Sequence, residues 1–348
     1  MEKLHFASDY MEGAHKEILD ALIKTNDEST IGYGEDEYCL KAKELILKHV
    51  GSNGSVYFFT GGTQVNQVLI DSILGKSEGI LSPDTGHINV HEAGAIEYTG
   101  HKIIPIKNIN GKISSSQIKA EYEKWKNDLN HDHMVEPRLV YISQPTEYGT
   151  LYSKDELIEL KKVCVEYGLF LYVDGARLAY AFSSKENDID LKDLGKYTDA
   201  FYIGGTKCGA LFGEALVINN KDQIKKFVTL IKMHGALLSK GRLLGVQFLK
   251  FFEDGLYFNI GKDADKYANI IRKKLKECGF SLYMEGATNQ VFFTISDLKY
   301  KELSKYVDVS FMEKYDDESS IIRICTSWHT TKGDVDKLLD IIEKIGRE

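Results

Sequence analysis

The order of apolar runs in this chain predicts an α/β fold: a mostly parallel seven-stranded sheet covered by helices, followed by a smaller C-terminal α+β unit. Three observations carry that expectation. Seven short runs rich in β-branched and aromatic residues recur between Val56 and Ile218. Helical periodicity fills most of the intervals between them, and such alternation builds a parallel sheet covered on both faces. From Tyr267 onward the pattern changes to a helix, two alternating strands and a closing helix.

The elements follow in order. An irregular opening, FASDYMEGA, leads to a helix over His15–Lys24. Gly32 to Asp36 reads as a loop and Glu37–His49 as an amphipathic helix. The run Val56–Phe59 breaks at Thr60-Gly61-Gly62-Thr63, and Gln64–Leu74 resumes a helical period. Ile80-Leu81, Ile103–Ile106 and Leu139–Ile142 are further strands, with a helix over Ser114–Asn127. Ser153 caps a helix over Lys154–Tyr167. Leu169–Val173, Ala200–Ile203 and Ala215–Ile218 complete the strands. A long helical stretch is expected over Gln223–Phe252, and helices from Tyr267 to Cys278 and from Gly333 frame strands at Gln290–Ile295 and Ile321–Cys325. The division is placed near Gly245, giving units of 1–245, with the N-terminal segment, and 246–348.

Composition narrows the partners. The chain has 348 residues, 43% hydrophobic and 28% charged, as in ordinary soluble domains. A net charge of −8 argues against nucleic acid or an anionic membrane as a general partner. No apolar run approaches the roughly 18 residues of a membrane helix. No cationic-then-apolar leader opens the chain, and the five cysteines have no paired spacing. A reducing cytoplasm is the expected location.

The chemistry concentrates between Gly168 and Val217. Asp174 and Lys207 each stand just past a strand, and one crossover between them would bring those strand ends together. A lysine and a carboxylate aimed at one crevice suit pyridoxal phosphate: the lysine forms the Schiff base and the acid partners the pyridinium nitrogen. Ala176 would pack beneath the ring, and Arg177 could grip a carboxylate or phosphate with two donors. Gly61-Gly62-Thr63 offers free backbone N–H groups at a helix start, a phosphate cradle; taken alone it is equally a plain glycine turn. No dinucleotide or P-loop fingerprint occurs. His87 could stack on a ring and relay protons. His91 and Glu92 follow it; His87 and His91 have metal-pair spacing, but no third ligand is evident, so no metal is expected.

Together these residues resemble the threonine aldolase and β-eliminating lyase group of fold-type I pyridoxal phosphate enzymes. The likeness runs through Ser8-Asp9, YGED at Tyr33–Asp36, GGTQVNQ at Gly61–Gln67, HINVHEAGA at His87–Ala95 and Pro145-Thr146. It continues through DGARL at Asp174–Leu178, TKCGALFG at Thr206–Gly213 and RICTSW at Arg323–Trp328. The resemblance implies that Lys207 carries the cofactor, Asp174 meets its ring nitrogen and His87 stacks on it. Gly61, Gly62 and Thr63 would hold the phosphate, and Thr206 would be a further cofactor-binding residue. Ser8, Arg177 and Arg323 would bind the substrate carboxylate. Tyr33 would reach into a neighbouring subunit's site, in a homodimer or homotetramer with shared sites. Two stretches depart from the family pattern. Glu147 stands where a histidine is usual, and GALLSKGR leaves Lys240 or Arg242 to meet the phosphate. The implied activity is retro-aldol cleavage of a β-hydroxy-α-amino acid to glycine and an aldehyde, with His87 or Glu147 as base, directly or through water. Another lyase reaction such as β-elimination, or a silent cofactor-binding protein, are the alternatives.

Overall fold

The sheet expected from the apolar runs forms, and its carboxyl edge carries the site. In the computed structural model, which describes residues 3–220 and 224–347, seven strands lie in the order Ser55–Phe59, Glu214–Ile218, Ala200–Gly204, Phe170–Asp174, Glu136–Ser143, Glu78–Pro83 and Lys102–Ile106. All are parallel except Glu214–Ile218, which runs antiparallel to both its neighbours. The three strands Phe170–Asp174, Ala200–Gly204 and Glu214–Ile218 are buried along their whole length, as strands covered on both faces must be. Two prolines sit where a strand tolerates them. Pro105 lies on the edge strand, and Pro137 lies at a register shift opposite Gly79 that extends its strand ahead of Leu139.

The helices start and stop for local reasons. Ser114, Ser153 and Asp190 each close a reciprocal capping box with the residue three positions on. Gly51 and Gly168, both left-handed, end the helices Glu37–Val50 and Lys154–Tyr167. The crossover between Asp174 and Lys207 is built of two short helices, Leu178–Ser183 and Leu191–Tyr197.

The long helix expected over Gln223–Phe252 does not form. Gln223 lies outside the described residues. Helix Phe227–Met233 stops before Gly235, whose φ of +68° is left-handed, and Arg242–Glu253 begins anew. Gly245 falls inside that second helix, whose Phe248, Phe251 and Phe252 join the core of the large sheet.

A second core collects Phe6, Ile271, Leu275, Phe293, Ile322, Leu338 and Ile342. Its antiparallel sheet has the order Ser310–Lys314, Ser319–Cys325, Gln290–Ser296. The N-terminal segment is shared with this unit, because Leu4–His5 pairs with Val307–Asp308. Helix Lys262–Glu277 gives Ala264 to the first core and Ala268 onward to the second. We propose that the two units meet within this helix rather than at Gly245. Among the described residues no helix is long and apolar enough to cross a membrane.

Candidate active site

Six parallel strands end on one edge of the large sheet, and the antiparallel strand begins there. The loops at that edge enclose a cavity of about 540 Å³. Gly61, Gly62, Thr63, His87, Glu147, Asp174, Ala176, Arg177, Thr206, Lys207 and Arg323 all line it. These come from segments that the sequence separates widely, and the fold brings them to one place.

Lys207 sits in a single 3-10 turn, Thr206–Cys208, directly after strand Ala200–Gly204. Tyr180 fixes that turn by donating to the Lys207 carbonyl at 2.8 Å, and the Lys207 ammonium lies 5.9 Å from the Tyr10 ring centre. Gly204 is required by packing, since a Cβ there would lie 2.2 Å from the Ala176 carbonyl oxygen.

Asp174 is buried at the end of the adjacent strand. Tyr141 donates to its Oδ2 at 2.7 Å, the Asn66 amide reaches the same oxygen at 3.5 Å, and the Ala176 N–H donates to Oδ1 at 3.0 Å. Asn66 also donates to Glu92 at 2.7 Å and accepts from Tyr172 at 2.7 Å. His87 Nδ1 lies 2.7 Å from the same Glu92 oxygen. A carboxylate only accepts, so Nδ1 carries the hydrogen and Nε2 is left to gain or lose a proton. Burial works to lower the His87 pKa. The Glu92 hydrogen bond and the charges of Glu147 and Asp174 outweigh it, and the net shift is upward. Asn66 lies within GGTQVNQ without an assigned role, and neither Tyr141 nor Tyr172 falls in a motif. Their hydroxyls and amide meet only once two strands and a helix are assembled.

The Gly61-Gly62-Thr63 turn opens a helix. Helix Gly62–Ile73 has no side-chain cap, so its first N–H groups stay available for an anion. Gln64 instead folds back and accepts from Thr60 N–H and hydroxyl, at 3.1 and 2.9 Å, which fixes the turn. Gly62 admits the Tyr202 hydroxyl where a Cβ would collide at 2.7 Å.

On the other side of the cavity, Arg177 Nε and Nη2 are taken by Asp9, at 2.6 and 3.0 Å, leaving Nη1 for a ligand. Arg323 donates to Gln290, the Ala7 carbonyl and Ser310, while its buried Nε has no partner. The Ser8 hydroxyl is also buried and unpartnered. Glu147, in the position read as a departure, accepts from Ser143 at 2.7 Å. His91 lines the cavity beside His87, ring centres 5.8 Å apart. Among the described residues no cluster suited to a metal ion occurs.

Three expected residues, Ser8, Tyr33 and Lys240, are not among those that line this cavity. Tyr33 is exposed, with its N–H bonded to Ser239 and its ring 4.7 Å from the Lys232 ammonium. Lys240 is exposed on the same loop. Arg242, the alternative to Lys240, is committed to the Glu28 and Thr25 carbonyls. Tyr33, Lys240 and Arg242 belong to an outer face formed by the loops 32–35 and 239–242.

The beta-eliminating lyase family model matches residues 5–298. The chain belongs to that family. It is 39% identical to a solved threonine aldolase of Leishmania major, with a TM-score of 0.95 and 99% of each chain covered. The low specificity L-threonine aldolase of a Pseudomonas species is 29% identical over 84% of both chains. A putative L-allo-threonine aldolase from Listeria monocytogenes, 17% identical with a TM-score of 0.76 over 98% of this chain and 96% of that one, shares the fold.

Proposed function

We propose that this protein is a pyridoxal phosphate-dependent lyase that cleaves threonine-like β-hydroxy-α-amino acids to glycine and an aldehyde. The observation that carries the proposal is the convergence of Lys207, Asp174, His87 and the Gly61–Thr63 turn on one cavity. The likeness to threonine aldolases supports the substrate class.

The residues fit the cofactor. Lys207 would attach to it, and Asp174 would face its ring nitrogen. Ala176 would lie beneath it, with His87 above. Gly61, Gly62, Thr63 and Thr206 would receive its phosphate. Once bound, pyridoxal phosphate supplies an electron sink for the charge left at the α-carbon. The chain's own residues do the rest. Arg323, through its unpartnered Nε, with Arg177 Nη1 and the Ser8 hydroxyl, would hold the substrate carboxylate. Holding it fixes which bond at the α-carbon stands perpendicular to the ring, and so which bond breaks. His87 Nε2 or Glu147 would take the β-hydroxyl proton, directly or through water. Tyr141 and Asn66 orient the Asp174 side chain.

Tyr33 and Lys240 would serve a neighbouring subunit's cavity, consistent with their place on an outer face away from their own. We propose a homodimer or homotetramer on that basis. The cysteines at 39, 164, 208, 278 and 325 are all unpaired, which supports a reducing cytoplasm. The test is product analysis with threonine and allo-threonine. Aldol cleavage releases glycine and acetaldehyde, whereas elimination releases ammonia and a keto acid. Production of keto acid without glycine would overturn the proposal.

A further inference from the structure

Glu214 is a buried acid in the cavity that the proposed mechanism leaves without a role. It opens the antiparallel strand Glu214–Ile218, paired with Phe59 on one side and Gly204 on the other. That register sets it between the strand that leads into the Gly61–Thr63 turn and the strand that leads to Lys207. The side chain lines the cavity with both, and the residue is 5% exposed. One oxygen accepts from the Gly205 N–H at 2.8 Å. The Thr206 hydroxyl accepts from the Gly213 N–H at 3.0 Å, which leaves its own proton for Glu214.

We propose that Glu214 is a proton-carrying member of the phosphate-binding side: the dianion that seats at Gly61–Thr63 does so together with one proton taken from solvent by the Glu214 carboxyl. The inference rests on the reading of that turn as the phosphate cradle.

The surroundings make the carboxyl responsive. Burial pushes it up to about 7, against the hydrogen bonds from Thr206 and Gly205 and the charge of Lys207, with Asp174 pushing it further up. The other titratable groups facing it are Tyr172 and Tyr202 in the sheet, and Cys208 and Tyr257 behind the Lys207 turn. Burial pushes each of these four up, so all are neutral near pH 7. Glu214 is therefore divided between its two forms near neutrality, and a dianion brought beside it favours the neutral one. A protonated carboxyl also gains a donor, which a carboxylate lacks.

The test compares binding of pyridoxal phosphate and of pyridoxal, which lacks the phosphate, to wild-type apoprotein and E214Q at pH 6.5 and 8.5. Glutamine keeps the acceptor for Gly205 and cannot ionise. The cofactor's phosphate is itself mostly dianionic above about pH 6 and is the same for both proteins. Wild-type affinity for pyridoxal phosphate should fall between the two pH values by about tenfold more than that of E214Q, one pK unit being a factor of ten. Pyridoxal should show no such difference. Equal pH dependence in the two proteins would overturn the inference. Should E214Q fail to fold, calorimetry of the wild type in buffers of different ionisation enthalpy decides it. Greater proton uptake with pyridoxal phosphate than with pyridoxal at pH 7.5 supports the inference, and equal uptake overturns it. If pyridoxal phosphate binds no tighter than pyridoxal at either pH, the cradle reading itself fails and the inference with it.

Discussion

Asp9 and Arg177, 168 positions apart, form a two-pronged buried ion pair on the wall of the cavity. It ties the N-terminal segment to the loop after strand Phe170–Asp174, so this wall of the cavity depends on that segment. Burial alone would raise the Asp9 carboxyl. The Arg177 charge, then Lys207 and the hydrogen bonds from Arg177 and Asn289, hold it at about 2.

Asp9→Asn should therefore be costly. It leaves the Arg177 guanidinium buried without its counter-charge, a loss of about 3–5 kcal/mol. In the wild type the pair stabilises the fold above the ordinary carboxylate value of 3.8 and is lost as pH falls toward about 2. Denaturant midpoints measured from pH 5 to pH 2 should show that acid loss in the wild type and a flatter profile in the variant.

Asp174→Asn removes the negative charge while keeping the shape that Tyr141 and Asn66 hold. Cleavage should fall by on the order of 10²–10³-fold, as when one preorganised electrostatic partner is lost. Circular dichroism should be unchanged, which separates this outcome from misfolding.

Glu92→Gln acts on His87 through their 2.7 Å contact. Without the carboxylate, burial of His87 goes unopposed by its strongest raising partner, and the imidazole loses its proton at lower pH. If His87 works as a base, the acidic limb of the kcat/KM profile should move to lower pH. An unmoved limb would assign the base role to Glu147, and Glu147→Gln should then abolish the limb instead.

Glu214→Gln should stabilise the apoprotein in a pH-dependent way. A carboxyl raised from 4.5 to about 7 leaves the fold unpenalised below pH 4.5 and increasingly penalised as pH rises to about 7. The variant should match the wild type at pH 4 and exceed it by about 3 kcal/mol at pH 8, read from chemical denaturation.

Shared sites predict complementation. Lys207→Ala and Lys240→Ala proteins, each weakened alone, should regain cleavage when refolded together, because a mixed assembly contains one cavity with both lysines intact. No recovery would return Lys240 to the solvated surface.

Much of this site was legible in the sequence because parallel strands advertise it. An apolar run closed by Asp174, Lys207 or Gly61-Gly62-Thr63 marks a strand end, and in a parallel sheet those ends share an edge. The same logic hid Glu214: its strand is antiparallel, so its first residue, not the one after its last, reaches that edge. Asn66, Tyr141 and Tyr172 read as ordinary helix and strand residues, and their network exists only in three dimensions. Strand Ser310–Lys314 escaped notice because it is largely exposed and carries no apolar run. The helix expected across Gly235 failed because periodicity says nothing of a left-handed backbone.

Reduction of the holoprotein with borohydride, followed by peptide mapping, tests the central claim most directly. The label should appear on Lys207, within the peptide that contains Thr206 and Cys208. Label on another lysine, or on none, would contradict the assignment of this cavity as a pyridoxal phosphate site.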